Sequence, residues 1–248
     1  MFKNAEESHQ HSLKTLNQLY EYDDFMLSIK TVVDLGCGVG KDLEWWASRT
    51  TRDEYAMPLN IKCTGVDILN RMPMATKYPN MIYQRTDFEV KINPPPEKFD
   101  ILWCHDAFQY VTNPIQTLID WRNISADGAM LALIVPQTTN IYQKEFHFTQ
   151  HDGCYYHHTM VSLIHMLAIT GWDCKSGFFK KDLNDDWLHA IVYKSDQKPF
   201  DLKKTRWYDL VDAKLLPESA DKSILTKGYL DQKDLTLRWL DKSLNKIN

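Results

Sequence analysis

Residues 31–40 read Thr31-Val32-Val33-Asp34-Leu35-Gly36-Cys37-Gly38-Val39-Gly40, TVVDLGCGVG. Val32 and Val33 are β-branched, as a buried parallel strand requires, and Asp34 stands near the end of that strand. Gly36, Gly38 and Gly40 then turn the chain ahead of a helix-like run that opens at Lys41. A strand that passes through a glycine turn into a helix N-terminus presents backbone N–H groups and partial positive charge to a ligand. Glycine is required where a side chain blocks close approach or where φ must be positive. Two phosphate-binding patterns fail on this stretch. The dinucleotide fingerprint G-x-G-x-x-G needs glycine where Lys41 stands, and a P-loop needs glycine at Leu35 and Ser or Thr at Asp42. Asp34 repels a phosphate and suits an ammonium group. The plain alternative is a glycine-rich turn with no ligand.

The chain has 248 residues, enough for one α/β domain with appendages. At 44% hydrophobic and 25% charged it has the composition of a globular protein with a full core. A formal charge of −4 argues against a nucleic-acid backbone as the main partner, which calls for a basic face. The five cysteines, Cys37, Cys63, Cys104, Cys154 and Cys174, form no C-x-x-C pair and read as reduced thiols. The first residues, MFKNAEESHQHS, lack the apolar stretch of a signal peptide. No run approaches the roughly 20 apolar residues of a membrane span. A soluble cytoplasmic protein is the expectation.

Outward from residues 31–40, Glu6 to Tyr22 carries Leu13, Leu16 and Tyr20 at helical spacing and predicts an amphipathic helix at the domain edge. Lys41 to Ser48 predicts the helix after the glycines, with Leu43, Trp46 and Ala47 inward. Ile61 to Ile68 predicts a second strand with Asp67 at its C-terminal end. Ligands bind at that edge of open α/β sheets, and an acid there can accept both ribose hydroxyls of a nucleoside. Its plain alternative is an acidic strand cap. Residues 70–80 predict a short broken helix, and Met81 to Phe88 a third strand with Asp87 just past its end. Asn93-Pro94-Pro95-Pro96 reads as a stiff polyproline loop. Phe99 to Cys104 is the fourth strand. Asn113-Pro114 is a helix start, Asn as N-cap and Pro at the first helical position. Asp127-Gly128 then turns into a fifth strand, Ala129 to Val135. Strands alternating with helices predict a parallel, doubly wound sheet.

Taken in this order, residues 31–40, Asp67, Asp87 and the segment FDILWCHD (99–106) resemble class I S-adenosylmethionine-dependent methyltransferases. Their first motif is an acidic residue, an apolar one, then G-x-G-x-G. The strand FDILWC with the following HDAFQYV is similar to small-molecule methyltransferases of the ubiquinone-biosynthesis and trans-aconitate type. The resemblance spans about residues 31–194. It implies a Rossmann-like, mostly parallel seven-stranded sheet with an antiparallel last strand. It further implies an S-adenosyl-L-methionine site made by Asp34, Gly36, Cys37, Gly38, Gly40, Asp67, Ile68, Asp87, Phe88 and His105. Asp87 would reach the adenine amino group, with Phe88 under the ring. N-terminal helices often close over the cofactor in this family, which makes Tyr20, Tyr22 and Phe25 further candidates. His105 and Asp106 fall where the family places the methionyl end and the reacting methyl. Many relatives carry Glu or Gln followed by His where this chain has Gln109-Tyr110. The N-P-P-aromatic motif of amino-group methyltransferases follows the fourth strand, whereas here the prolines precede it.

Beyond Pro136 the chain becomes polar, aromatic and rich in His147, His151, His157 and His158, the composition of a lid at a ligand edge. His147 and His151 stand four apart, but Phe148 excludes H-E-x-x-H and no third ligand is well spaced, so no metal is expected. A histidine-lined substrate pocket is preferred, with Asp106, Tyr155 and Tyr156 as substrate contacts and His105, His157 and His158 as candidate bases. Met160 to Leu167 predicts a helix stopped by Gly171, and Trp172–Phe179 with Trp187–Tyr193 predicts a hairpin around KKDLNDD. Three regions result: a helical cap over 1–30, the cofactor-binding domain over 31–194 with a lid at about 136–159, and a helical extension over 195–248. In the extension, Leu237, Leu240, Leu244 and Ile247 predict a helix packed on the domain or on a second copy in a homodimer.

The implied reaction is displacement of a methyl group from a sulfonium onto a small-molecule oxygen or nitrogen. Alignment of two reactants contributes about 7–11 kcal/mol, against roughly 10²–10⁴-fold from a general base, so a base is optional. Rival readings are a non-catalytic cofactor-binding regulatory partner, a methyltransferase acting on protein or nucleic acid, and a nicotinamide-dependent oxidoreductase disfavoured by Lys41.

Overall fold

The computed structural model describes residues 5–68, 76–89, 92–136, 156, 158–182, 187–196 and 198–216. Helix α1 (Ala5–Tyr20) and the short α2 (Asp23–Ser28) precede β1 (Thr31–Leu35), which leads through the glycines into α3 (Lys41–Ala47). Strands β2 (Lys62–Asp67), β3 (Met81–Arg85) and β4 (Phe99–His105) follow, then a 3₁₀ turn at Phe108–Tyr110. Helix α4 (Pro114–Ile124), β5 (Ser125–Pro136), α5 (Met160–Ile169), β6 (Trp172–Asp182), β7 (Trp187–Lys194) and α6 (Trp207–Asp212) complete the described chain. The strands form one sheet in the order β3-β2-β1-β4-β5-β7-β6. The first five run parallel, and β7 is antiparallel to both β5 and β6. This is the doubly wound sheet expected from the sequence.

Strand alternation divides the core in two. Val33, Leu35, Leu102, Cys104, Leu131, Leu133, Ala190 and Val192 face one side, where α4, α5 and α6 pack. Val32, Ile101, Trp103, Met130, Ala132 and Ile134 face the other, covered by α1 and α3. The same two-residue period turns Asp34, Asp67, His105 and His189 toward α1 and α3. Helix α4 begins as its sequence dictates, with Asn113 Oδ1 accepting the Gln116 N–H at 3.2 Å. Helix α5 ends at Gly171, whose φ of 88° is open to glycine at little cost.

Several boundaries differ from expectation. Strand β3 ends at Arg85, so Asp87 lies in the loop two residues on. Strand β4 continues through His105, making that residue its last member and not the first of the loop. Strand β5 starts at Ser125, because Ser125 pairs with Phe99 before a register shift carries the chain past Asp127 and Gly128 to Met130. Residues 69–75, His147, His151 and the helix expected from Leu237, Leu240, Leu244 and Ile247 lie outside the described residues. Among those described, no helix is long and apolar enough to cross a membrane and no His, Cys, Asp and Glu group could hold a metal ion.

Candidate active site

The glycine loop is anchored across the sheet edge. The N–H groups of Gly36 and Cys37 both donate to Val66 O, at 2.8 and 3.1 Å, and the Gly38 N–H donates to Asp67 Oδ2 at 2.7 Å. Gly36 (φ 80°) abuts the loop after β4 so closely that a Cβ there would lie 2.3 Å from Ala107 Cβ. Gly38 (φ 52°) is different, because nothing lies within 4 Å of where its Cβ would be. Glycine at 36 serves packing and glycine at 38 leaves an opening. Asp34 is buried beneath this loop, its carboxylate accepting the Leu43 N–H near the start of α3. Burial first, then the charges of Asp42 and Asp67, hold its carboxyl well above the usual range. Burial likewise raises the Cys37 thiol, so it is no nucleophile at neutral pH.

The neighbouring strand ends lie beside this loop. The Thr86 N–H donates to Asp67 O at 3.2 Å, which brings the loop after β3 beside the end of β2. Ile68 is exposed there, Asp87 Oδ1 accepts the Glu89 N–H at 2.8 Å, and Phe88 packs on Trp121 within contact of the Gly36 position. The structure thus gathers Asp34, Gly36, Cys37, Gly38, Gly40, Asp67, Ile68, Asp87 and Phe88 along the ends of β1, β2 and β3.

His105, at the end of β4, lies under α1. Its Nε2 is 2.9 Å from His11 Nδ1 and its Nδ1 is 3.3 Å from Ser8 Oγ, while Trp187 stacks on the ring. Burial, reinforced by the charges of His11 and His9 and opposed by Asp42, pushes its pKa down to about 4. A neutral imidazole engaged on both nitrogens is a structural joint between α1 and β4. Sequence reading missed the other half of that joint. Buried Asp42 accepts from Ser12 Oγ at 2.6 Å and from Trp103 Nε1 at 2.9 Å, and meets His9 Nδ1 at 2.5 Å. Ser8, His11, Ser12 and Thr15 recur at i, i+3, i+4 and i+7, a polar stripe whose helical period was available in the sequence beside the apolar one.

Asp106 follows with φ 55°, a left-handed backbone sparsely used by residues other than glycine. Its Oδ1 accepts from Gln109 Nε2 at 2.7 Å, and burial pushes its pKa up to about 6 against that hydrogen bond. His158 is buried on the opposite face of the sheet from His105, stacked between Phe108 and Tyr156. Tyr156 is exposed and hydrogen-bonds through its hydroxyl to Thr112 O at 3.2 Å. His105 and His158 therefore do not converge. Tyr155 and His157 lie outside the described residues. Tyr20 donates to Thr50 O at 2.8 Å and lies under Arg49, while Tyr22 and Phe25 line a separate cavity against β7, so none of the three faces the glycine loop.

Comparison with known proteins bears on this geometry. The model of a family described as a methyltransferase domain matches residues 10–176. No curated protein matches the chain. Among solved structures, a Listeria monocytogenes protein assigned as an S-adenosylmethionine-dependent methyltransferase superposes with a TM-score of 0.56 at 19% identity, over 76% of this chain and 99% of that one. Phosphoethanolamine N-methyltransferase 2 of Haemonchus contortus, solved with phosphomonomethylethanolamine and S-adenosylhomocysteine, gives 0.58 at 14% identity over 75% of this chain and 53% of its own. A complex of the Haloferax volcanii Trm112 methyltransferase activator with a methyltransferase gives 0.54 at 15% identity over 75% and 94%. At these identities the likeness is one of fold.

Proposed function

The chain belongs to the methyltransferase-domain family and is an S-adenosyl-L-methionine-dependent enzyme; on that premise we propose that it methylates a small molecule at oxygen or nitrogen. The observation that carries the cofactor half of this reading is the Gly38–Asp67 hydrogen bond beside open space at the Gly38 Cα. A side chain at residue 38 would fill the cradle, and the carboxylate held there suits a ribose diol. The residues present fit the cofactor: Asp67 for the sugar, Ile68 and Phe88 on either side of the base, Asp87 for its amino group, and Asp34 deepest. Gly36, Cys37 and Gly40 shape the loop. When bound, the cofactor supplies a methyl group already activated by positive charge on sulfur.

This chain's own residues then orient and exclude water. Asp106, with a pKa near 6 and a carboxylate steered by Gln109, is suited to accept a proton from an acceptor hydroxyl or amine. Tyr156 and His158 are proposed to stand on the acceptor side, together with Tyr155 and His157. His105 is proposed to position α1 over the reacting end. The same reading divides the chain into a cap over 1–30, a catalytic domain over 31–194 and an extension over 195–248. The overall acidity supports a small acceptor over a nucleic acid.

Calorimetric titration with S-adenosylhomocysteine and with NAD tests the reading. Binding of the first and not the second is expected. Gly38→Ala and Asp67→Ala should each weaken the first at least tenfold while leaving the thermal unfolding curve cooperative. Wild-type affinity in both variants would remove the crevice from consideration.

A further inference from the structure

A second concavity lies three strands across the sheet from β1, where the C-terminal half of α1 and the corner into α2 face β6 and β7. Its volume is about 750 Å³, enough for a small organic molecule. Four Phe and Tyr rings line it, Tyr22 and Phe25 from the corner, Phe178 from β6 and Tyr193 from β7, with the His189 imidazole beside them. Aromatic faces carry negative potential and attract cations, most strongly where water is excluded. The same corner contributes three carboxylates, Glu21, Asp23 and Asp24. Arg52, just outside it, lies 3.6 Å from the Asp23 carboxylate and donates to the Glu21 carbonyl at 2.8 Å. An anion meets three carboxylates of its own sign at this rim.

We propose that this cavity binds an organic ammonium cation with an apolar body, its head held by the rings and rim carboxylates and its body against Leu19 and Ile191. One side of the cavity is closed by His189, which leads toward the C-terminal end of β4. His189 shares a sheet row with Ile134 and His105, and the His11 ring lies 5.7 Å from His189 and 5.2 Å from His105. An ammonium seated here has two sources: the methyl acceptor, whose nitrogen must first give an N–H proton to a base so that its lone pair can take the methyl as the carbon–sulfur bond breaks, or a second ligand that reports on the site through α1. Only the first of these rests on the methyltransferase reading.

The test titrates the full chain with benzyltrimethylammonium and with neutral benzyl alcohol, in the wild type, Phe25→Leu and the double variant Glu21→Gln/Asp24→Asn. Saturable one-to-one binding of the cation is expected, about tenfold tighter than the alcohol and about tenfold weaker in either variant. No saturable binding, equal affinity for cation and alcohol, or wild-type affinity in both variants overturns the proposal. A parallel assay offers phenethylamine with labelled methyl donor. Label transfer identifies the cation as acceptor, and binding without transfer identifies a second ligand; both uphold the site. Cation binding in a protein that fails to bind S-adenosylhomocysteine sinks the methyltransferase reading and leaves the cavity assignment standing.

Discussion

Two adjacent residues at the end of β4 titrate in opposite senses, and their opposition can be measured. Folding lowers His105 from its ordinary 6.5 to about 4, so the unfolded chain binds the extra proton and stability is lost as pH falls through that interval. At 1.36 kcal/mol per unit the full loss is about 3 kcal/mol. Asp106 is raised from 3.8 to about 6, so the folded chain binds the proton more tightly and stability is gained as pH falls through nearly the same window. Partial exposure of Asp106 screens its share to about 2 kcal/mol. In the wild type the two effects largely cancel between about pH 6.5 and 4. Asp106→Asn removes one of them. Asparagine tolerates the left-handed backbone and still accepts from Gln109, so the variant should fold as the parent does. Urea midpoints measured at both pH values should show the variant losing about 2 kcal/mol more than the wild type on acidification. Asp34 and the remaining carboxylates occur in both proteins and drop out of the difference. Parallel acid dependence in the two proteins would refute the account of Asp106.

Gly36→Ala should be far costlier than Gly38→Ala. A left-handed alanine costs about 1–2 kcal/mol at either position, but only residue 36 adds overpacking of about 1–3 kcal/mol against Ala107, so chemical denaturation should separate the two by more than 1 kcal/mol. Asp42→Ala removes the carboxylate that Ser12, Trp103 and His9 share. Its loss should speed amide exchange over residues 8–16 by tenfold or more while the β4 and β5 amides keep their protection, as read by mass spectrometry.

Much of the scaffold was legible because its signals are local. A β-branched run, glycines at alternate positions and a proline behind asparagine each constrain a few consecutive dihedrals, and they recovered β1, α3 and α4 almost to the residue. The end of β4 was misjudged by one position because strand pairing with Ile134 extends it, and no local signal reports a partner from another part of the chain. The cofactor crevice was readable as a list of strand-end acids and glycines, since the parallel topology carries those ends to one edge. What α1 does was not. Its apolar stripe suggested a helix at the domain edge, whereas its polar stripe docks on Asp42 and His105, residues from two other elements 30 or more positions away.

By itself, then, the amino-acid order determined the strand–glycine–helix unit, the alternation of layers and the residue types available at the crevice. These follow from short-range stereochemistry and from the period of burial. Tertiary structure alone decided that His105 is clamped by α1 and stays uncharged at neutral pH. It also decided that His158 lies on the opposite face of the sheet, and that four rings and three carboxylates surround a common cavity. A pKa, a hydrogen-bond partner and a cavity depend on which distant groups displace water from one another, and that displacement exists only once the chain has closed.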